Sequence, residues 1–140
     1  MQVIGFNFKK ISAERKKPAE GKIQVDSNIH IQEITSDKVE LIQNKEILKF
    51  DFEFTISYSP NFAAISFEGS VLITLEKKES KDILKKWKEK KISDELKIPL
   101  FNLILTKSNL KALQLEEELG LPAHIPLPKL GAQKKQDYVA

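Results

Sequence analysis

The hydrophobic pattern divides the chain into a strand half and a helix half. From Asn61 to Leu75 apolar positions recur at every second residue: Ala63, Ile65 and Phe67, then Val71, Ile73 and Leu75, with Gly69 in phase. Successive strand side chains point to opposite faces, so this period predicts a strand with one buried face. Glu46 to Tyr58 repeats it more strongly. Leu48, Phe50, Phe52, Phe54, Ile56 and Tyr58 share one side, and Lys49, Asp51, Glu53, Thr55 and Ser57 the other. A one-residue slip would expose every aromatic, so the register is specified. Ser59-Pro60-Asn61 has turn chemistry and joins the two strands as a hairpin.

Upstream, Val3 to Phe8 alternates, with Ile4, Phe6 and Phe8 on one face. Ile11 breaks that phase, which predicts a bulge near Lys9-Lys10. Glu14 to Gly21 carries charge, Pro18 and Gly21 and reads as a loop. In Lys22 to Gln32 the residues Ile23, Val25, Ile29 and Ile31 face away from Gln24, Asp26, Asn28, His30 and Gln32. One dry and one wet face mark an antiparallel sheet. Thr35 to Lys38 reads as a turn. Val39, Leu41 and Ile42 extend that strand or start a short one, and Gln43 to Lys45 turns back.

After Leu75 the period changes. Glu76 to Glu79 reads as a charged break, and Ser80 as the cap of a helix to about Lys91 with a thin stripe of Ile83, Leu84 and Trp87. Ser93 or Asp94 opens a short turn, and Pro99 suits the first position of a long helix that stops at Gly120. Leu100 to Leu105 is apolar nearly all round, which predicts burial on most sides. Beyond it the stripe narrows to Leu110, Ala112, Leu113 and Leu115, with Glu116 to Glu118 expected in solvent. Leu121 to Leu130 holds three prolines and is expected to be extended and docked. Gly131 to Ala140 reads as a frayed polar tail.

The predicted elements are out of balance. Four strands spaced about 4.8 Å apart make a sheet roughly 19 Å wide, and one helix covers about 10 Å of it. Apolar sheet is left open, and open patches of several hundred Å² mark an interface or a groove. A homo-oligomer, built through the long helix, the sheet edge or both, is therefore expected.

Composition narrows the chemistry. At 140 residues and 41% hydrophobic content, the chain can bury a core without metal or disulfide. It has no cysteine, which excludes thiol nucleophiles and Cys-ligated metal sites. No apolar run reaches the roughly 20 residues of a membrane span, and Met1 to Lys10 has no basic n-region, so a cytoplasmic location is expected. Net charge is +3 and Arg15 is the only arginine. Base readers usually rely on arginine forks. His30 and His124 are far apart, without cysteine partners, and make a weak metal case. Asp51 and Glu53 share a strand face and fit a solvated face with cross-strand lysines better than paired catalytic carboxylates. There is no phosphate-binding glycine loop.

Two stretches resemble the SecB-type export chaperones, and specifically a short archaeal relative of them. One is Phe62, Phe67-Glu68-Gly69 and Val71, similar to that family's fourth strand. The other is Pro99 to Leu105 followed by Leu121-Pro122 and Ile125-Pro126-Leu127, similar to its Pro-initiated apolar helix and proline-rich extension. The resemblance implies an α+β fold: a four-stranded antiparallel sheet followed by a short and a long helix packed on one face. It covers residues 1–130 as one domain, with 131–140 as tail. It implies dimers or tetramers that hold unfolded polypeptide without ATP, with no cofactor and no catalysis. That family is acidic and its C-terminal tail helps engage the export motor; here the chain is basic and the tail, Lys134-Lys135-Gln136-Asp137, is short and not acidic, so the resemblance does not extend to an export motor.

The residues expected to line a client groove or interface are Phe50, Phe52, Phe54, Tyr58, Phe62, Phe67, Trp87, Leu100, Phe101 and Ile104. For any one of the sheet phenylalanines, ordinary core is the plainer expectation. Tyr58 and Phe62 flank the turn and are expected to be partly exposed. Two other functions stay open. One is a structural or assembly partner of one specific protein, of the antitoxin-associated type. The other is weak nucleic-acid binding through the Lys81 to Lys91 helix, where Glu79 to Lys91 holds six lysines against three acids.

Overall fold

The computed structural model describes residues 1–18, 21–37 and 45–128. Four strands, β1 (Gln2–Arg15), β2 (Gln24–Asp37), β3 (Lys45–Ser59) and β4 (Ala63–Glu76), precede two helices, α1 (Lys77–Trp87) and α2 (Asp94–Leu119). The strands form one antiparallel sheet in the order β1-β4-β3-β2. The two strongest alternating stretches are therefore central, and β1 and β2 are the edges. Phe50, Phe52, Phe54, Ile56, Phe67 and Val71 are at most 1% exposed. The opposite face is polar, with Asp51 holding Lys9 at 2.7 Å and Ser70 at 2.6 Å.

Bulges set the edges. In β1 the register shifts between Phe8 and Lys10, as the phase break at Ile11 predicts, and again between Val3 and Gly5. The second shift takes Ile4 out of phase with Phe6 and aligns Val3 with Ile73 instead. In β2 it shifts between Ile31 and Glu33. Gln32 is the extra residue, and Ile34 returns to the core opposite Phe50, 3% exposed. That reset carries β2 through Thr35 to Asp37, where a turn was expected. The expected strand or turn over 38–44, and the tail from 129 onward, lie outside the described residues.

The helices differ from expectation at their starts. α1 begins at Lys77, inside the expected charged break, and Ser80 is not its cap. Ser80 is fully buried and donates to Glu46 at 2.6 Å. α2 begins at Asp94 with Ser93 preceding it in extended conformation, so Pro99 lies inside the helix. Buried Leu96 anchors the added turn. Proline at this sixth helical position removes the N–H that would pair with the Glu95 carbonyl. The helix ends at Gly120, whose φ of 64° is the left-handed conformation that glycine adopts freely.

The face α2 turns to the sheet is Leu96, Leu100, Ile104, Ser108, Ala112 and Glu116, a four-residue repeat after Leu96. Leu110, expected on the stripe, is 65% exposed. Glu116, expected in solvent, is 2% exposed. Small Ser108 and Ala112 bring helix and sheet close, and the same repeat carries Glu116 inward.

Candidate functional site

A groove of about 620 Å³ opens where edge strand β2 meets the end of α1 and the first turns of α2. That volume is in the range of ligand pockets. Ile29 and Ile31 form its strand wall, with His30 and Gln32 alternating beside them. Trp87 and Ile92 close one end, and Phe101 lines it from α2. The bulge builds this wall. With Gln32 displaced, the Glu33 carboxylate accepts from the Trp87 indole Nε1–H at 3.1 Å and from the Ile34 backbone N–H at 3.3 Å. A buried indole N–H needs such a partner, and Trp87 is only 8% exposed.

Two lysines rim the groove. The Lys90 ammonium lies 4.5 Å from the centroid of the Trp87 ring, and that of Lys97 5.5 Å from Phe101. These are cation–π distances. On the β1 side of α1 a second cavity, about 370 Å³, has the opposite character, with Glu79, Asp82 and Glu95 around Leu75 and Leu96.

At the far end of α2 lies a buried polar chain. The Tyr58 hydroxyl donates to Glu116 Oε2, and His124 Nδ1–H donates to Glu116 Oε1 at 2.8 Å. His124 Nε2 is 2.8 Å from the Asn109 side-chain oxygen, and the imidazole meets Phe54 edge-on with centroids 6.2 Å apart. The side chains of His124 and Glu116 are 1% and 2% exposed. Burial first, then the hydrogen bond to Glu116 and its charge, push the Tyr58 phenol far above its usual range. The chain docks the segment after Gly120 onto helix and sheet. Nearby, Ser108 Oγ is buried without a hydrogen-bond partner among the described residues.

No family model matches this chain, and no curated protein matches it. Among solved structures it is similar to a Mycobacterium tuberculosis SecB-like chaperone in complex with a ChAD peptide from an antitoxin. The TM-score is 0.51 over 93% of this chain and 89% of that one, at 14% sequence identity. The fold is SecB-like.

In this SecB-like fold the ten expected groove residues separate. Trp87 and Phe101 line the β2-edge groove. Phe50, Phe52, Phe54, Phe67, Leu100 and Ile104 lie in the protomer core, none more than 2% exposed. Tyr58 and Phe62, expected to be partly exposed beside the turn, are 1% and 2% exposed. The reason is cover from elsewhere. Glu116 takes the Tyr58 hydroxyl, and the Arg15 guanidinium sits 5.3 Å over the Phe62 ring. Arg15 also donates to the Leu119 carbonyl at 3.1 Å, tying β1 to the end of α2.

Of the other seven lining residues, Lys90 falls in the Lys81 to Lys91 stretch singled out for charge, and sequence pattern missed Ile29, His30, Ile31, Gln32, Ile92 and Lys97 as groove residues. The signal present was the spacing of three from Ile31 to Ile34, which marks the bulge. The histidines are not brought together as a metal pair: His30 faces Glu53 on the polar face at 3.9 Å, and His124 is committed to Glu116. The lysines in and just after α1 are in part paired, Lys86 with Asp82 at 3.4 Å and Lys91 with Glu89 at 3.8 Å. No helix is long and apolar enough to cross a membrane, among the described residues.

Proposed function

We propose that this protein is a non-enzymatic binding protein that holds extended polypeptide in the β2-edge groove without ATP, in the cytoplasm, as an oligomer. The observation that carries this is the groove itself. It has apolar walls of Ile29, Ile31, Trp87, Ile92 and Phe101 under a polar rim, is open, and is bounded on one side by an edge strand whose outer side has no strand partner among the described residues. An extended segment can add to such an edge by main-chain pairing while its side chains enter apolar pockets. Trp87 and Phe101 are the residue types that anchor interfaces. The SecB-like fold supports the same reading, since the mycobacterial chaperone is held with a peptide.

The second reading is service to one specific protein, and the antitoxin origin of the peptide on that chaperone favours it. The two differ in range of ligand, not in site. One experiment tests both. The purified protein at stoichiometric ratio, without ATP, is expected to suppress aggregation of a chemically unfolded client. Phe101→Ser, compared below its own melting temperature because Phe101 also packs against the core, is expected to lose most of the suppression. Failure with every client tried, beside tight binding of one protein, selects the second reading. Failure with no binding at all removes both.

A further inference from the structure

The polar rim of the groove has one sign. Lys90 and Lys97 line it, and none of its lining residues is Asp or Glu. Two carboxylates that border it are already engaged. Glu33 accepts from Trp87, and Glu53 faces His30 and accepts from Gln32 at 3.4 Å. Neither Lys90 nor Lys97 makes an ion pair among the described residues; each ammonium rests on an aromatic face instead.

The backbone at Lys90 adds a second observation. α1 is closed by the Lys90 N–H to the Trp87 carbonyl, 2.8 Å, and the Lys91 N–H to the Lys86 carbonyl, 3.1 Å. This closure places Lys90 at φ 58°, a left-handed position that glycine takes freely and a lysine resists. Glycine would close the helix as well or better. What lysine adds is a charge held over the Trp87 ring at the mouth of the groove. Non-glycine residues in this conformation concentrate at functional sites.

We propose, building on the polypeptide-holding reading above, that this groove selects extended segments whose apolar side chains are flanked by Asp or Glu. The apolar residues enter between Trp87 and Phe101, and the flanking carboxylates meet Lys90 and Lys97. Charge complementarity of this kind fixes register and favours one class of ligand. An ammonium on an aromatic ring keeps donors free for a carboxylate, so the ligand joins the existing contact without breaking an ion pair.

The test uses the intact protein and three synthetic peptides that share one apolar core and lack tryptophan. Their flanks are glutamate, glutamine or lysine. Trp87 is the chain's one tryptophan, so its emission reports occupancy of this groove. The glutamate peptide is expected to bind about fivefold tighter than the glutamine peptide, the yield of two exposed charge pairs. That advantage is expected to vanish at about 1 M salt, where the screening length is about 3 Å. The double variant Lys90→Gly with Lys97→Gln is expected to lose the advantage and keep its affinity for the glutamine peptide. Lys90→Gly alone is expected to melt no lower than the parent, which separates lost charge from lost structure. Equal binding of glutamate and glutamine peptides, a preference for lysine flanks, or an advantage that survives the double variant overturns the proposal and leaves the holding function standing. Absence of binding by any of the three overturns both.

Discussion

The ring of Phe52 lies over Gly69, its partner across the β3–β4 pair. A Cβ placed at position 69 would come within 2.7 Å of Phe52 Cζ and collide with the Asn7 carbonyl oxygen of β1. The ring fills the space that a side chain at 69 would occupy, and stacks at 5.4 Å on Phe6 from the other neighbour of β4. Gly69 thus lets one aromatic bridge three strands. Gly69→Ala is expected to destabilise the fold by about 1–3 kcal/mol, the usual cost of overpacking a tight core. Urea denaturation reads it. A change within a few tenths of a kcal/mol would mean that both the Phe52 ring and the β1 backbone at Asn7 relax freely.

Glu116 is tolerable in the core because donors reach both of its oxygens, from Tyr58 and His124. Tyr58→Phe keeps the ring and removes one donor, leaving a buried carboxylate oxygen unpaired. The expected loss is about 1–3 kcal/mol. Because both donors serve one carboxylate, Tyr58→Phe and His124→Gln are expected to be non-additive by about 0.5 kcal/mol or more. Additive losses in a double-mutant cycle would show that the two bonds act independently.

How much of this was legible follows from spacing. Strict alternation from Leu48 to Tyr58 and from Ala63 to Leu75 identified the buried face because each slip would expose a full set of aromatics. The same logic reads an apolar spacing of three as a bulge. It locates the one between Phe8 and Ile11, and the Ile31 to Ile34 spacing carries the same signal where the alternation stops at Gln32. The four-residue repeat from Leu100 through Ile104, Ser108 and Ala112 leads to Glu116, but a run of three glutamates reads as solvent-facing when its partners are unknown. Those partners, Tyr58 and His124, lie 58 and 8 residues away in sequence. The groove was least legible. Three elements assemble it, and the backbone turn that places Lys90 over Trp87 leaves no glycine to mark it.

Asp51 and Tyr58 bound stability from opposite ends of the pH scale. Burial alone would raise the Asp51 carboxyl. Hydrogen bonds from Lys9 and Ser70, with the charges of Lys9 and Lys49, outweigh it and hold the group below its usual 3.8. A lowered carboxyl contributes stability that is complete above the unfolded value and is lost as pH falls through the folded one. Tyr58 is raised, so its contribution is complete below the phenol's usual 10.0 and is lost as pH rises beyond it. Stability measured by urea is therefore expected to fall at both extremes. Asp51→Asn is expected to flatten the acid limb and Tyr58→Phe the alkaline one. An acid limb unchanged by Asp51→Asn would assign it to other carboxylates.

The β1 edge makes the last prediction. Val3 and Ile11 pair in register with Ile73 and Phe67, which places both on the apolar face, yet each is 46% exposed. Beside them Phe6 and Phe8 are only partly buried, and Met1 is 61% exposed. α2 meets β1 at the strand's far end, where Arg15 donates to the Leu119 carbonyl, but leaves Val3 and Ile11 open, the imbalance that strand and helix widths imply. Contiguous apolar surface at an open sheet edge is an aggregation hazard unless a partner covers it. A second copy of the chain is the partner expected there. Light scattering is expected to give a multiple of the 16.0 kDa protomer mass. The double variant Val3→Lys with Ile11→Lys is expected to return the protomer with little change in its melting temperature, because both side chains are half-exposed within the protomer. A parent protein that is already monomeric, or a variant whose mass does not change, would show that β1 is not the assembly surface. The exposed apolar residues of α2, Ile98 at 61% and Leu110 at 65%, would then be the next surface to alter.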